Sequence, residues 1–408
     1  MDLGYGGYVC ATSERWCARK TALKELEMPL FLLSVFSVYG AVHIYVFFKI
    51  RTALGFGLVP GIVLGLFLAT MTVTPILVRM LEWQGYDLSA RALSCIGYTW
   101  MGVLFLFFCA SILVDLFRIL VCGAGVLLQR DPGMFLLSSR AAFFIALIVA
   151  LCIAVYGFFE AIAIRPEVIT VPSSKIPASI ERVRIVQVSD VHLGLVVRGW
   201  RLHRIIDVIR EAGPDVLVST GDLVDGQIDS LQGLPEFFDE IQPRFGKYAV
   251  TGNHEFYAGL DHALEITAQA GFIVLRGEAV DVSGMLTLAG VDDPTAQRMG
   301  LMSGIPEEDL LPGLSRERFV LLLKHQPYLN QGSLGLFDLQ LSGHTHNGQI
   351  FPFRFLVRQV HPRVAGWYDL GQGSHLYVSS GTGTWGPPMR FLSPPEVTVI
   401  DLVHAEDR

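Results

Sequence analysis

Four long uncharged runs crowd the first 160 residues: Met28–Phe48, Ala53–Val78, Ala92–Val114 and Ala141–Phe159. Each is about long enough to cross a ~30 Å hydrocarbon core as a helix. The fourth is the shortest, but the apolar AIAI after Glu160 extends it by a turn. Four such runs joined by short polar connections do not fit the core helices of a soluble protein. A cleaved leader is also a poor fit, because the first run starts late and no small-residue cleavage site follows it. Only 17% of the 408 residues are charged and 51% are hydrophobic, against about a quarter charged in soluble domains. The expected order is an N-terminal segment, 1–27, a four-span α-helical transmembrane region, 28–164, a linker, 165–182, and a second domain, 183–408.

Basic residues give the spans a direction. Arg15, Arg19, Lys20, Lys24, Arg79, Arg91, Arg165 and Lys175 fall on one side, and Lys49, Arg51, Arg118, Arg130 and Arg140 on the other. The bias favours a cytoplasmic N-terminus, and an even number of spans returns the second domain to the cytoplasmic face. All six cysteines lie at or before Cys152, so the second domain uses neither a disulfide nor a cysteine metal site. A net charge of −7 and the lack of a basic run in that half leave no electrostatic footprint for nucleic acid.

The texture changes near Pro166. RPEVITVPSSKIPAS reads as an extended link. Beyond it, short apolar runs alternate with amphipathic segments. Strands are expected at Val183–Val188, Asp215–Ser219, Lys247–Val250, Phe272–Leu275, Met285–Ala289, Phe319–Leu323, Leu339–Leu341, Leu376–Ser379 and Val397–Leu402. Helices are expected at Leu202–Ala212 and Leu260–Ala270. Early β-α-β alternation followed by mostly β structure predicts a layered α/β domain with two packed sheets.

The chemistry-bearing residues fall just past the carboxyl ends of those strands, where open α/β sheets collect ligands. VQVSDVHLG gives Asp190 and His192, STGDLVDG gives Asp222, and VTGNHEFY gives Asn253 and His254. LLLKHQP gives His325, and LSGHTHNGQI gives His344 and His346. Any one of these is a weak signal: DxH is common, and GD after a strand is a routine turn. Five in order, all at strand ends, point to a metal centre. Such donors suit borderline divalent ions, Mn, Fe or Zn. One carboxylate can bridge two ions, and two ions can activate water and clamp a phosphoryl group.

The series DVH, GD, GNHE, KH and GHTH, from about Ile185 to Leu402, resembles the calcineurin-like metallophosphoesterase superfamily. The resemblance implies a four-layer α/β domain and two metal ions. Asp190, His192, Asp222 and His346 would hold one ion, and Asp222, Asn253, His325 and His344 the other. His254 matches the catalytic histidine that protonates the leaving oxygen. GTGTWGPPMRF at 381–391, together with the membrane-spanning front, resembles the membrane-associated branch. That branch includes transmembrane proteins with a metallophosphoesterase domain and phosphodiesterases similar to UDP-2,3-diacylglucosamine hydrolases of lipid A synthesis.

Three further residues stand near the motifs. Glu255 is placed to orient His254. Asp225 is either a support for the ligands or a turn carboxylate. Arg390 is either a phosphate contact or a sheet-edge arginine. His361, His375 and His404 lack a partner motif, and Asp115 is expected to pair locally with Arg118. The leading expectation is a membrane-anchored phosphohydrolase whose partners are the bilayer and a phosphoester, with a lipid-linked one as the candidate substrate. Two alternatives remain: a transporter or sensor with a regulatory phosphoesterase-like module, and a nuclease or cyclic-nucleotide phosphodiesterase.

Overall fold

A computed structural model describes residues 7–225, 233 and 236–406. Four helices lead the chain: α1, Gly7–Leu54; α2, Leu58–Trp83; α3, Asp87–Leu128; and α4, Ser139–Ile162. Four stretches, beginning at Leu32, Leu58, Asp87 and Gly133, are long and apolar enough to cross a membrane. Side chains such as Leu58, Leu66, Ile148 and Val155 are exposed, as a lipid-facing surface would have them. This is the build of an integral membrane protein. α1 begins inside the segment expected to precede the spans.

The chain forms two compact units, Met1–Val73 with Val114–Ile145, and Thr74–Leu113 with Ala146–Arg408. In the first, Asp115 does not pair with Arg118 as expected. It accepts from Tyr45 Oη at 2.7 Å and from the Lys49 ammonium, both on α1. A helix-to-helix bond satisfies the carboxylate where a neighbour three residues along α3 does not.

The second unit holds two six-stranded sheets. The first has the order β1-β12-β2-β3-β4-β5, with β1 Arg165–Ser173, β2 Val183–Val188, β3 Val216–Ser219, β4 Lys247–Ala249, β5 Ile273–Val274 and β12 Glu396–His404. The second has the order β10-β11-β9-β8-β7-β6, with β6 Glu278–Val282, β7 Leu286–Gly290, β8 Phe319–Leu323, β9 Leu339–Ser342, β10 Gly366–Gly371 and β11 Ser374–Val378. Strands β3 and β8 are buried throughout, which is why they read as unbroken apolar runs.

Helix α5, Trp200–Ala212, and the helix Leu260–Gln269 cover the outer face of the first sheet. Ile205, Ile206, Ile209, Ala263 and Ile266 fill that layer. Between the sheets, Ile185, Val218, Leu288, Leu321, Leu341 and Ile400 form the central core. A third cluster, with Leu311, Leu322 and Phe337, caps the outer face of the second sheet. The result is four layers.

The expected linker is partly sheet. Arg165–Ser173 forms β1 and pairs in parallel with β12 along nine residues. Pro166 and Pro172 are tolerated because β1 is an edge strand.

Helix segments within this unit pack onto the domain. Val78 of α2 and Ala90 of α3 meet Leu195. Phe105 of α3 meets Phe353 edge-on, with ring centroids 6.0 Å apart, and Tyr156 of α4 meets Phe391 at 6.1 Å.

Candidate metal centre

β2 ends at Val188, and the chain then turns so sharply that Asp190 and His192 both take φ of 53°. Asp222 after β3, and His344 and His346 after β9, are likewise left-handed, at 51°, 73° and 48°. Such a conformation costs an ordinary residue roughly 1–2 kcal/mol, and strain of this kind clusters at functional sites. Here it turns five side chains off their strand directions into one volume. Gly343 makes the turn after β9 possible, because a Cβ there would collide with Ser189 Oγ and Asp190 Oδ2.

All seven expected donors converge. His192 Nε2 lies 3.1 Å from His346 Nε2, which lies 3.4 Å from Asp190 Oδ1. His325 Nε2 lies 3.2 Å from both Asp222 Oδ2 and Asn253 Oδ1, and 3.1 Å from His344 Nδ1. Asp222 Oδ2 is also 3.9 Å from His192 Nε2, so one carboxylate faces both groups. Donors bound to a common ion at ~2.1 Å sit roughly 3.0–3.4 Å from one another. The spacing and the donor chemistry therefore suit a dinuclear metal centre.

One tautomer fits as well. His325 Nδ1 is 2.8 Å from the Thr220 carbonyl, which can only accept, so a metal would take Nε2. Burial works to lower the pKa of His325, but the carboxylates of Asp222 and Asp190 outweigh it and raise it well above the usual range, so metal binding there would displace a proton. Burial holds His344 and His346 well below the usual histidine range and lowers His192 to about 4. Neutral imidazole is the ligating form.

His254 follows Asn253 at the start of the helix Asn253–Ala258. Burial alone would lower its pKa. The carboxylates of Asp222, Asp225 and Glu255 outweigh that effect and push it up to about 9. Its Nδ1 lies 2.9 Å from Asp225 Oδ1, an ion-pair contact rather than a well-aligned hydrogen bond. The ring is edged by Tyr257 and Trp385, with centroids 5.5 and 5.9 Å away, and both of those aromatics are exposed.

The structure corrects two expectations. Asp225, not Glu255, sits against the His254 ring. Glu255 is buried and accepts from the backbone N–H groups of Asp222, Leu223 and Gly252 at 3.0, 2.8 and 2.7 Å, so it fixes the turn that carries Asp222. Arg390 is wholly buried and donates to the carbonyls of Ser380, Gly381, Gly383 and Ser393. A guanidinium so enclosed cannot reach a phosphate; one of its nitrogens instead lies 3.2 Å from His346 Nδ1. His361, which no sequence motif marks, stands with its ring 4.9 Å from that of His344. Ser189, whose Oγ donates to Asp190 Oδ2 at 2.6 Å, carried no distinguishing signal in the sequence.

A family model described as calcineurin-like phosphoesterase matches residues 183–348. An uncharacterized metallophosphoesterase of Aquifex aeolicus (strain VF5) is 39% identical over 255 residues, covering 62% of this chain and 97% of its own length. The chain belongs to the calcineurin-like metallophosphoesterases. A transmembrane protein with metallophosphoesterase domain from Danio rerio is 34% identical over 342 residues, covering 80% of this chain and 76% of its own. That match is longer than the 165–408 region, so it takes in part of the helical front. An uncharacterized metallophosphoesterase of Campylobacter jejuni is 32% identical over 316 residues, covering 74% of this chain and 82% of its own. Family and donor set together make this chain a metal-dependent phosphoester hydrolase.

Proposed function

We propose that Asp190, His192, Asp222 and His346 hold one divalent ion, and that Asp222, Asn253, His325 and His344 hold the other. The convergence of the seven donors in two groups, with the Asp222 carboxylate facing both, is the observation that carries this reading. Two ions, Mn, Fe or Zn by donor type, would polarise the phosphoryl oxygens and make water acidic enough to attack near neutral pH. The rest is the work of side chains. Glu255 holds the Asp222 turn. His254, kept protonated by the surrounding carboxylates and steadied by Asp225, donates its proton to the departing oxygen. Protein loaded with Mn is expected to hydrolyse an aryl phosphodiester, and full activity in Asp222→Asn would sink the assignment.

The substrate we propose is a lipid-linked pyrophosphate or phosphodiester, reached from the cytoplasmic face. A nucleotide-linked diacylated sugar such as UDP-2,3-diacylglucosamine has the required chemistry. Tyr257 and Trp385 offer apolar surface beside His254, and Phe351, Phe353, Phe355 and Leu356 are exposed. Phe353 also touches α3. Trp367 has a different neighbour, packing on His375 at 5.1 Å. Tethering at the bilayer raises the local concentration of a lipid-borne substrate. Turnover of a diacylated nucleotide sugar should exceed that of its deacylated form at matched concentration; equal rates would reject the lipid reading and leave the metal chemistry intact.

A further inference from the structure

The loop after β11, residues 379–393, runs between the metal site and the end of α4. Its inner side touches the ligands. Thr382 and Gly383 donate their backbone N–H groups to the carbonyls of Ser189 and Asp190 at 2.8 and 3.0 Å. Ser393 Oγ donates to the His346 carbonyl at 2.8 Å. Arg390 ties the loop to itself through the carbonyls named above and reaches the outer edge of the His346 ring.

Its outer side is held by helix residues. Glu160, on the last turn of α4, is buried, and its carboxylate accepts from the backbone N–H of Leu392 at 3.2 Å and of Ser393 at 3.0 Å. One turn earlier, Arg390 donates its backbone N–H to the Gly157 carbonyl at 2.9 Å. The loop lies so close that a Cβ on Gly157 would meet Arg390 O at 2.6 Å. On the neighbouring helix, a Cβ on Gly102 of α3 would meet Met389 Sδ at 2.7 Å.

A carboxylate at the end of an apolar span is costly unless it is bonded, and these bonds go to the loop that shapes the metal site. We infer that Glu160 is a positioning residue for the metal centre: α4 holds the 379–393 loop, and the loop holds His346 and Asp190. The membrane region then does more than anchor the domain, because its fourth helix supplies outer support for two ligands. The inference rests on the proposed metal assignment. Its reasoning is that of any outer support for a ligand, whose loss typically costs about tenfold to a hundredfold in metal affinity.

The test uses the full chain in lipid nanodiscs, comparing wild type, Glu160→Ala and Glu160→Gln. Metal affinity is read by competition with a chelator. Activity on a soluble aryl phosphodiester is read as kcat and KM separately, and thermal stability is followed alongside. Glu160→Ala should bind metal about tenfold more weakly and lose kcat with little change in KM; its melting temperature should fall as well, because two backbone N–H groups lose their acceptor, so affinity and rate are read well below the melting transition. Glu160→Gln keeps one acceptor oxygen and should fall between the two. Wild-type metal affinity and kcat in both variants would overturn the inference. If Glu160→Ala does not fold, Glu160→Gln decides: an intermediate affinity supports it, and an unchanged one overturns it. If the wild-type protein itself binds no metal, what fails is the dimetal reading, which separates the two failures.

Discussion

Left-handed backbone at Asp190, His192, Asp222, His344 and His346 shows how narrowly each proposed ligand is placed, and nearby glycines leave the room for it. Gly252 has little room, because a Cβ on it would strike Asp222 Oδ1 and the Asp222 amide nitrogen. Gly252→Ala is therefore expected to push aside the carboxylate that faces both donor groups. Metal content measured after dialysis should drop, and activity should fall by at least about tenfold if outer-support losses are a guide. The prediction fails if the variant retains two equivalents of metal. His254→Ala should behave differently. It removes a proton donor and no proposed ligand, so metal content should stay at the wild-type level while kcat falls about 10²–10⁴-fold. Loss of metal in that variant would instead make His254 a ligand, an outcome its place within 4.8 Å of His192 and Asp225 keeps open to measurement. These residues were legible in the sequence because each follows a short apolar strand closely, and all but Asp190 and His325 lie within two residues of a glycine. Glu160 and Arg390 were not. Their roles come from contacts with chain segments 232 and 44 residues away, and nothing in their local spacing marks them.

Among the elements, strands with both faces buried could be read directly: β2 and β8 fall at the expected residues, Val183–Val188 and Phe319–Leu323. β1, β6 and β10 were missed for a shared reason. They are outer strands of their sheets, with much of their length exposed, so their sequences carry prolines, charges and glycines that imitate loops. The junction of β2 with β12 shows how a polar pair can hold such a sheet. Arg184 and Asp401 face each other across it in register, and the guanidinium donates Nε to Oδ1 at 2.7 Å and a second nitrogen to Oδ2 at 2.8 Å. The Arg184 hydrogen bond is the main reason the Asp401 carboxyl lies below the usual carboxylate range. A carboxylate with a depressed folded pKa binds its proton more weakly folded than unfolded. Its stabilisation is thus present above the unfolded value of about 3.9 and is lost as pH falls through the lower folded value. Asp401→Asn should cost about 1–2 kcal/mol at pH 7, and thermal melts should show the gap from wild type closing as pH falls below the usual carboxylate range. A gap that stays constant with pH would show that packing, not charge, accounts for the loss.

At the scale of the whole molecule, the question is whether the phosphoesterase domain is separable from its helices. The sequence divides cleanly near residue 165, which invites treating 166–408 as a free enzyme on a tether. The packing argues otherwise, since one compact unit takes in Thr74–Leu113 together with everything from Ala146 onward. Removing the helices strips Leu195, Phe353, Met389 and Phe391 of the apolar surfaces they meet on α2, α3 and α4. It also removes the carboxylate that accepts from Leu392 and Ser393. The first loss favours aggregation, because contiguous exposed apolar patches are association sites. The second acts on the metal centre through His346. A fragment of residues 166–408 kept soluble in mild detergent is therefore expected to retain its sheets, visible by far-ultraviolet circular dichroism. It should bind metal about tenfold more weakly than the full chain and turn over an aryl phosphodiester correspondingly slowly at limiting metal, with the deficit shrinking as metal is raised. That recovery separates weakened ligand support from simple unfolding, which added metal would not repair to the same rate. A fragment that matches the full chain in metal affinity and in rate on the soluble ester would reduce the four helices to an anchor, and would take the Glu160 linkage down with it.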